Sequence, residues 1–266
     1  FGTEYSCGLI RRKLSKQQLP KLSSVNYGQN IHVTPRLSAE FLQVTHSIPQ
    51  SSMINIQSSE GDIVYACDYK FDDHSKVAKT NYKKLKSIGR QGVKCLVVEA
   101  LNVDADGKSE SEKVARAKVR DSMSFAHESG GLIVGTTFST HIERIQSLVK
   151  EANKLGRKVV ILGNSYVPNC SLGEKLGLLD MPDGTIVSGR KPDNVLSKVA
   201  KERDKYFVLA TGHQGEPGSI LSRVVDGKLK FRFKKGDSLL FSSKTIPSDV
   251  NIANRGQMVD KMKISG

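Results

Sequence analysis

GLIVGTTFSTHIERIQSLVKEANKLGRKVVIL, residues 131–162, is the stretch whose reading decides the fold. Leu132-Ile133-Val134-Gly135 is a short apolar run behind two glycines, the pattern of a buried strand. A helical period then runs over about 141–155 and stops at Gly156, a residue suited to the left-handed turn that closes a helix. Residues 158–162, KVVIL, form a second strand. A strand, a helix and a strand in about thirty residues make a βαβ unit. Such units build parallel sheets with helices on their faces.

The same rhythm extends outward. Ser109 and Glu112 have capping-box spacing, which predicts a helix through about residue 127. Downstream, a helix is expected over 194–201 and a strand over 206–210. The α/β unit therefore covers 107–245 and starts at the turn-rich Asp104-Ala105-Asp106-Gly107. Residues 1–106 are richer in strands. Residues 40–45 and 52–57 alternate, Glu60-Gly61-Asp62 supplies a turn, and residues 63–67 run apolar up to Asp68. Residues 93–98, VKCLVV, predict a strand buried on both faces.

Forty-one Lys and Arg against 27 Asp and Glu give a net charge of +14 over 266 residues. Such a surplus favours polyanions, by long-range attraction and by counterion release. Residues 228–235, KLKFRFKK, alternate charged and apolar side chains and predict a strand with one cationic face. That face is either an RNA-facing ribbon or an edge strand guarded by lysines. The cysteines Cys7, Cys67, Cys95 and Cys170 are scattered, with no C-x-x-C pair, which argues against a disulfide framework and a cysteine zinc knuckle. A reducing cytoplasm is expected. No apolar run approaches the length of a membrane-spanning helix, and no membrane partner is expected. The opening on Phe1 fits a processed or excerpted chain.

Three strand-like runs end on a metal-competent or acidic residue: His46, Asp68 and Glu99. Strand-end side chains can converge on one rim, where a divalent ion accepts imidazole nitrogen and carboxylate oxygen. Taken singly, each has a plainer reading, since a lone strand-end histidine is more often a hydrogen-bonded surface residue and Asp68 could begin a turn. Ser139, Thr140 and His141 sit between a strand and a helix start, with Arg144 one turn inside. That helix start either receives a phosphate oxygen or is capped by Ser139 or Thr140. Thr211-Gly212-His213-Gln214-Gly215-Glu216-Pro217 again follows a strand, and is either a ligand-shaping loop or a tight turn.

The strings themselves resemble the ribonuclease J family of metallo-β-lactamase/β-CASP nucleases. VTHSIPQS (44–51) and CDYKFD (67–72) resemble its third and fourth metal motifs, and VVEALNV around Glu99 resembles the acidic first motif of its β-CASP region. GLIVGTTFSTHIERIQ (131–146), VLATGHQGEP (208–217) and GDSLLFSSKTIP (236–247) follow in the family's order. FGTEYSCGLIRRKL at the start resembles the helix before the histidine strand, and the wording of TTFSTHI and IANR resembles the archaeal branch.

The resemblance implies an α/β fold. Residues 1–106 would be the later part of a metallo-β-lactamase αββα sandwich and 107–245 a β-CASP domain, with 246–266 returning to the first domain. It implies a metal-dependent ribonuclease acting on single-stranded RNA from the 5′ end, with a capacity for internal cuts, active as a homodimer or larger homo-oligomer in the cytoplasm. Two zinc ions would serve the intact site, with manganese or magnesium as substitutes. His46 would be a ligand of one zinc, and Asp68 would bridge both. Glu99 would be a nearby catalytic acid. Ser139, Thr140, His141, Arg144, His213 and Gln214 would meet RNA or its phosphates.

The family's H-x-H-x-D-H and H-x-S-G-H-A segments do not occur in this sequence; the resemblance places them before Phe1 and after Gly266. This chain is therefore expected to hold zinc poorly and to be inactive alone. The alternatives are a catalytically silent RNA-binding fragment and a β-CASP endonuclease of RNA 3′-end processing.

Overall fold

The computed structural model describes residues 1–101, 103, 104 and 106–265. Asn102, in the string around Glu99, and Ala105, in the expected domain boundary, lie outside the described residues, as does Gly266. The chain divides into two compact units, 1–113 and 114–266. The division falls seven residues beyond the expected 106/107 boundary, and the reason is local. Glu112, the first residue of helix 112–128, donates its N–H to Asp72 and lies 3.7 Å from the Lys70 ammonium, so the helix start belongs with the first unit.

The first unit opens with α1 (Glu4–Arg11) and continues through β1 (Asn30–Thr34), β2 (Leu37–Gln43), β3 (Ser52–Ser58), β4 (Ile63–Ala66), α2 (Tyr82–Gln91) and β5 (Cys95–Val98). The five strands form one sheet in sequence order, antiparallel from β1 to β4, with β5 parallel to β4. Alternation decides the faces. Leu42 and its partner Met53 point to one side with Val44, Val64 and Ala66, and Ile88 of α2 covers them. Phe41 and its partner Ile54 point to the other side, with Val25 and Ile31. β5 departs from expectation. It is the edge of the sheet and all four of its residues are exposed rather than buried on both faces.

The second unit holds α3 (Glu112–Glu128) from Val114 onward, β6 (Ile133–Thr136), α4 (Ile142–Lys154), β7 (Lys158–Leu162), α5 (Tyr166–Lys175), β8 (Ile186–Ser188), α6 (Pro192–Val199), β9 (Tyr206–Ala210), α7 (Ile220–Val225), β10 (Ser238–Phe241) and α8 (Asp249–Ser265). Its sheet is wholly parallel, in the order β10-β6-β9-β7-β8. Even-numbered strand residues such as Val134, Val160 and Val208 face a core shared with Leu196, Leu221 and Met258. Odd-numbered residues such as Ile133, Ile161 and Phe207 are fully buried on the opposite face. Continuous apolar strands are what a sheet covered on both sides requires. Burying a side chain such as Phe207 stabilises the fold by about 1.5–3 kcal/mol.

Two expectations are corrected here. Residues 246–266, read as returning to the first domain, include α8, which belongs to the second unit and places Met258 in its core. Residues 228–235 are not a strand. Their alternation is real, with Leu229 and Phe231 buried and Phe233 packed against the same core. Their backbone, however, turns to side chains: Lys230 N–H donates to Asp193, Lys234 N–H donates to Asp237, and the Arg232 carbonyl accepts from Arg203.

Arg157 pins the N-terminal ends of the strands. Its Nε donates to His127 Nδ1 at 3.1 Å, and its Nη1 donates to the carbonyls of Gly131 at 2.8 Å and Tyr206 at 3.0 Å. The side chain is buried and its Nη2 has no partner among the described residues.

Candidate functional site

In the first unit, main-chain bonds bring two sequence-distant residues together. Lys70 N–H donates to the Thr45 carbonyl at 2.7 Å, the Thr45 hydroxyl donates to the Lys70 carbonyl, and Asp72 N–H donates to Thr45 Oγ1. These bonds zip the segment after β2 to the segment after β4. His46 Nε2 consequently lies 3.8 Å from Asp68 Oδ2. Asp68 is the more open of the two, with 71% of its side chain accessible against 28% for His46. Glu99 leaves β5 beside them in topology, because the register pairs Ala66 with Val98 and both chains exit the same end of the sheet. Its carboxylate accepts the Leu101 N–H at 2.6 Å, so it caps its own turn.

The His46–Asp68 separation suits two donors on one ion, since zinc holds its ligands about 2.0–2.2 Å away. A structural zinc takes four donors, however, and a catalytic zinc takes three from the protein. No group of three or more His, Cys, Asp or Glu gathers in that way among the described residues. The described residues therefore do not fit a resident zinc ion by themselves.

Asp72, four residues after Asp68, has a different task. Its buried carboxylate accepts the N–H groups of Glu112 at 2.6 Å and His74 at 2.9 Å, with the Lys70 ammonium 3.4 Å away. Burial, the largest single influence, pushes its pKa up, yet the two amides and the ammonium together hold it below the ordinary carboxylate range.

In the second unit, the C-terminal ends of β6, β9 and β7 open onto a cavity of 370 Å³. The chain leaves β6 toward β7 and leaves β9 toward β10, in opposite directions along the sheet. A parallel sheet binds its ligands in the crevice at such a reversal. The lining mixes polar and apolar surface, with the hydroxyl residues Thr137, Ser139, Ser165 and Thr211 beside His213, Glu216 and Arg223.

His213 is 93% buried, against the edge of Phe138 at 4.1 Å between ring centroids. Its Nδ1 lies 3.3 Å from Glu216 Oε1, which favours the proton on that nitrogen. Nε2 is then a buried acceptor, and it has no partner among the described residues. Burial pulls the pKa of His213 down most, Glu216 pulls it up and Arg255 pushes it down, for a net lowering.

Of the residues expected to meet RNA, Ser139 and His213 line this crevice. Ser139 Oγ accepts from Asn169 at 3.1 Å. His141 caps α4 in place of Ser139 or Thr140, its Nδ1 accepting from Arg144 N–H at 3.4 Å. The Thr140 carbonyl accepts the Ile142 N–H at 2.9 Å. Arg144 donates to the carbonyl and the hydroxyl of Ser242, beyond β10. Gln214 is buried, donates to the Lys244 carbonyl at 3.1 Å and accepts the Ile246 N–H at 2.9 Å. Arg144 and Gln214 thus hold the 242–246 segment. Gly215 approaches the Asn254–Arg255 backbone rather than open space. Arg223 and Ser165 went unnoticed in the sequence, although Ser165 follows a legible strand by a few residues.

Residues 130–262 match the family described as Ribonuclease J, beta-CASP domain. The chain is similar to the ribonuclease J of Pyrococcus abyssi, 37% identical over 275 residues that take in all of this chain and 60% of that protein. It is 35% identical to the ribonuclease J of Methanocaldococcus jannaschii, covering all of this chain and 61% of that protein. The ribonuclease J of Thermus thermophilus is 32% identical over 262 residues, 96% of this chain and 44% of that protein. The chain thus spans 60–61% of the length of the first two relatives. With half of its residues matched by the domain family and all of them aligned to two such proteins, the chain belongs to the ribonuclease J family.

Proposed function

We propose that this chain is the RNA-handling part of a ribonuclease that hydrolyses single-stranded RNA from the 5′ end and can also cut internally. The observation that carries the reading is the strand-end crevice, with its hydroxyl side chains and Arg223. Hydroxyls and a guanidinium donate to phosphate oxygens. A cavity of 370 Å³ admits an unpaired nucleotide and excludes a duplex. The net charge of +14 supports a polyanionic substrate.

In this reading His46 and Asp68 contribute two ligands to a zinc-dependent hydrolytic centre, and Glu99 serves as an acid at the same sheet end. A second reading, an RNA-binding piece that is silent by itself, is favoured by the absence of a third donor around His46 and Asp68 among the described residues. The two readings agree on binding and part on cleavage. The purified chain is therefore incubated with a 5′-monophosphorylated single-stranded RNA in the presence of zinc or manganese. Anisotropy follows binding, gel analysis follows cleavage, and elemental analysis gives bound zinc. Salt-dependent binding without cleavage, and zinc well below one per chain, are expected. Stoichiometric zinc with cleavage would overturn the inactivity of the isolated chain, and absence of binding would overturn the RNA reading itself.

A further inference from the structure

Residues 74–98 carry seven cationic side chains (Lys76, Lys79, Lys83, Lys84, Lys86, Arg90 and Lys94) and no Asp or Glu. A quarter-hundred residues thus supply a positive charge equal to half of the chain's surplus. Most of it is displayed on α2. The buried side of this helix, Ile88 with Leu85, packs onto the first sheet. Lys83, Lys86 and Arg90 are exposed at spacings of three and four, so they share one solvent face. Lys84 pairs with Glu40 at 2.8 Å, whereas Lys83, Lys86 and Arg90 have no ion pair among the described residues. Like charges at these spacings repel, and cations in the first turn oppose the helix dipole. An ordinary solvated helix relieves both effects with interleaved acids, and α2 has none.

The helix is also placed with respect to the His46–Asp68 pair. Asn81, its N-cap, donates its N–H to the Gln43 carbonyl at the end of β2, and Thr45 N–H donates to Thr80. The cationic face therefore starts at the sheet end that carries His46 and runs away from it for about 15 Å. At that start stands Phe71, 54% exposed, in contact with Tyr69 at 5.1 Å and Tyr82 at 5.6 Å between ring centroids.

We propose that Phe71 and the Lys83–Lys86–Arg90 face of α2 form a second RNA contact, a track leading to or from the His46–Asp68 rim, separate from the strand-end crevice. An exposed ring offers a stacking surface to an unpaired base, and a row of unneutralised cations follows the phosphates. An anionic membrane is the weaker partner, because none of the large exposed apolar side chains belongs to α2 and a surface-bound helix needs an apolar face to insert. The inference rests on the proposal that the chain handles RNA.

The test measures binding of single-stranded RNA by the full chain as a function of salt, for the unaltered protein and three variants. Lys83→Gln/Lys86→Gln/Arg90→Gln should lower the slope of log affinity against log salt by about 2, and low-salt affinity on the order of tenfold. Phe71→Ala should weaken binding roughly tenfold with the slope unchanged. Lys175→Gln/Lys198→Gln/Lys201→Gln, an equal loss of charge from exposed positions of the second unit, should leave the slope nearly as it was. Equal effects of the two triple variants, or an unchanged slope in the α2 variant while RNA still binds, overturn the track alone. Failure of the unaltered chain to bind RNA overturns the track together with the reading beneath it. Binding to phosphatidylserine vesicles that needs α2, with RNA binding indifferent to it, also overturns the track.

Discussion

The Asp72 carboxylate accepts the main-chain N–H of Glu112 at 2.6 Å, from forty residues upstream. Helix α3 thus begins on a cap supplied by a distant loop, although its own sequence offers Ser109 at capping-box spacing. Replacing Asp72 with Asn should destabilise the first unit by about 1–2 kcal/mol at neutral pH, the range for losing a cap and a charged acceptor. Because the folded carboxyl titrates below its ordinary value near 3.8, its contribution is complete above that value and fades as pH falls through the folded pKa. Urea unfolding at pH 7 and in the acid range should therefore show the deficit of the Asn variant shrinking toward low pH.

His213 gives a pH effect at a higher range. Its pKa is lowered from 6.5, so the unfolded chain takes up a proton before the folded one does. The stability it allows is complete above 6.5 and declines as pH drops through the folded pKa. His213→Phe removes both the titration and the unpartnered nitrogen. Stability at pH 7 should change by less than about 1 kcal/mol, the acid-side decline should diminish, and affinity for single-stranded RNA should fall. Paired denaturation and anisotropy series from pH 5 to pH 8, covering about that window, check all three.

Gly215 and Gly218 separate two kinds of glycine requirement. Both have positive φ, 74° and 78°. A Cβ on Gly218 would meet nothing within 4 Å, whereas one on Gly215 would lie 2.5 Å from the Asn254 backbone. Gly218→Ala should cost about 1–2 kcal/mol, from backbone conformation alone. Gly215→Ala should cost more and loosen α8, with the difference read from thermal unfolding of the two variants side by side.

Gln214 closes a small circuit. Its amide holds the Lys244 carbonyl and the Ile246 N–H, while Arg144 holds Ser242. Gln214→Leu should leave both main-chain groups without their partner. Hydrogen exchange at the Ile246 amide should quicken roughly tenfold or more, since a lost buried bond costs about 1–3 kcal/mol locally. Amides in β7 should be unaffected.

The second unit was the more legible of the two. Strands 133–136, 158–162 and 206–210 are apolar apart from Thr136 and the exposed Lys158 because helices cover both faces, and that pattern survives without any partner sequence. The same logic failed for Cys95–Val98, where an apolar run marks an exposed edge. Periodicity reports which residues avoid water, and it does not say what stands beside them. In residues 228–235 the inward and outward positions were readable, but a strand also needs a neighbour to bond, and Asp193 and Asp237 took that place. His46 and Asp68 were visible as strand ends and do come together. The bonds of Arg144 and Gln214 to segment 242–246 were not legible, because nothing in their neighbours announces a segment about 100 and 30 residues further along the chain.

Arg157 divides the labour of the parallel sheet. A planar guanidinium that serves an imidazole and two carbonyls at once has no lysine substitute. The strand starts are therefore the fixed mount of the unit, tied together by one side chain. The loops at the opposite ends hang from that mount without sharing its constraints. Lengthening or exchanging 163–165 or 216–219 would reshape the crevice that these loops line while the frame stays as it is.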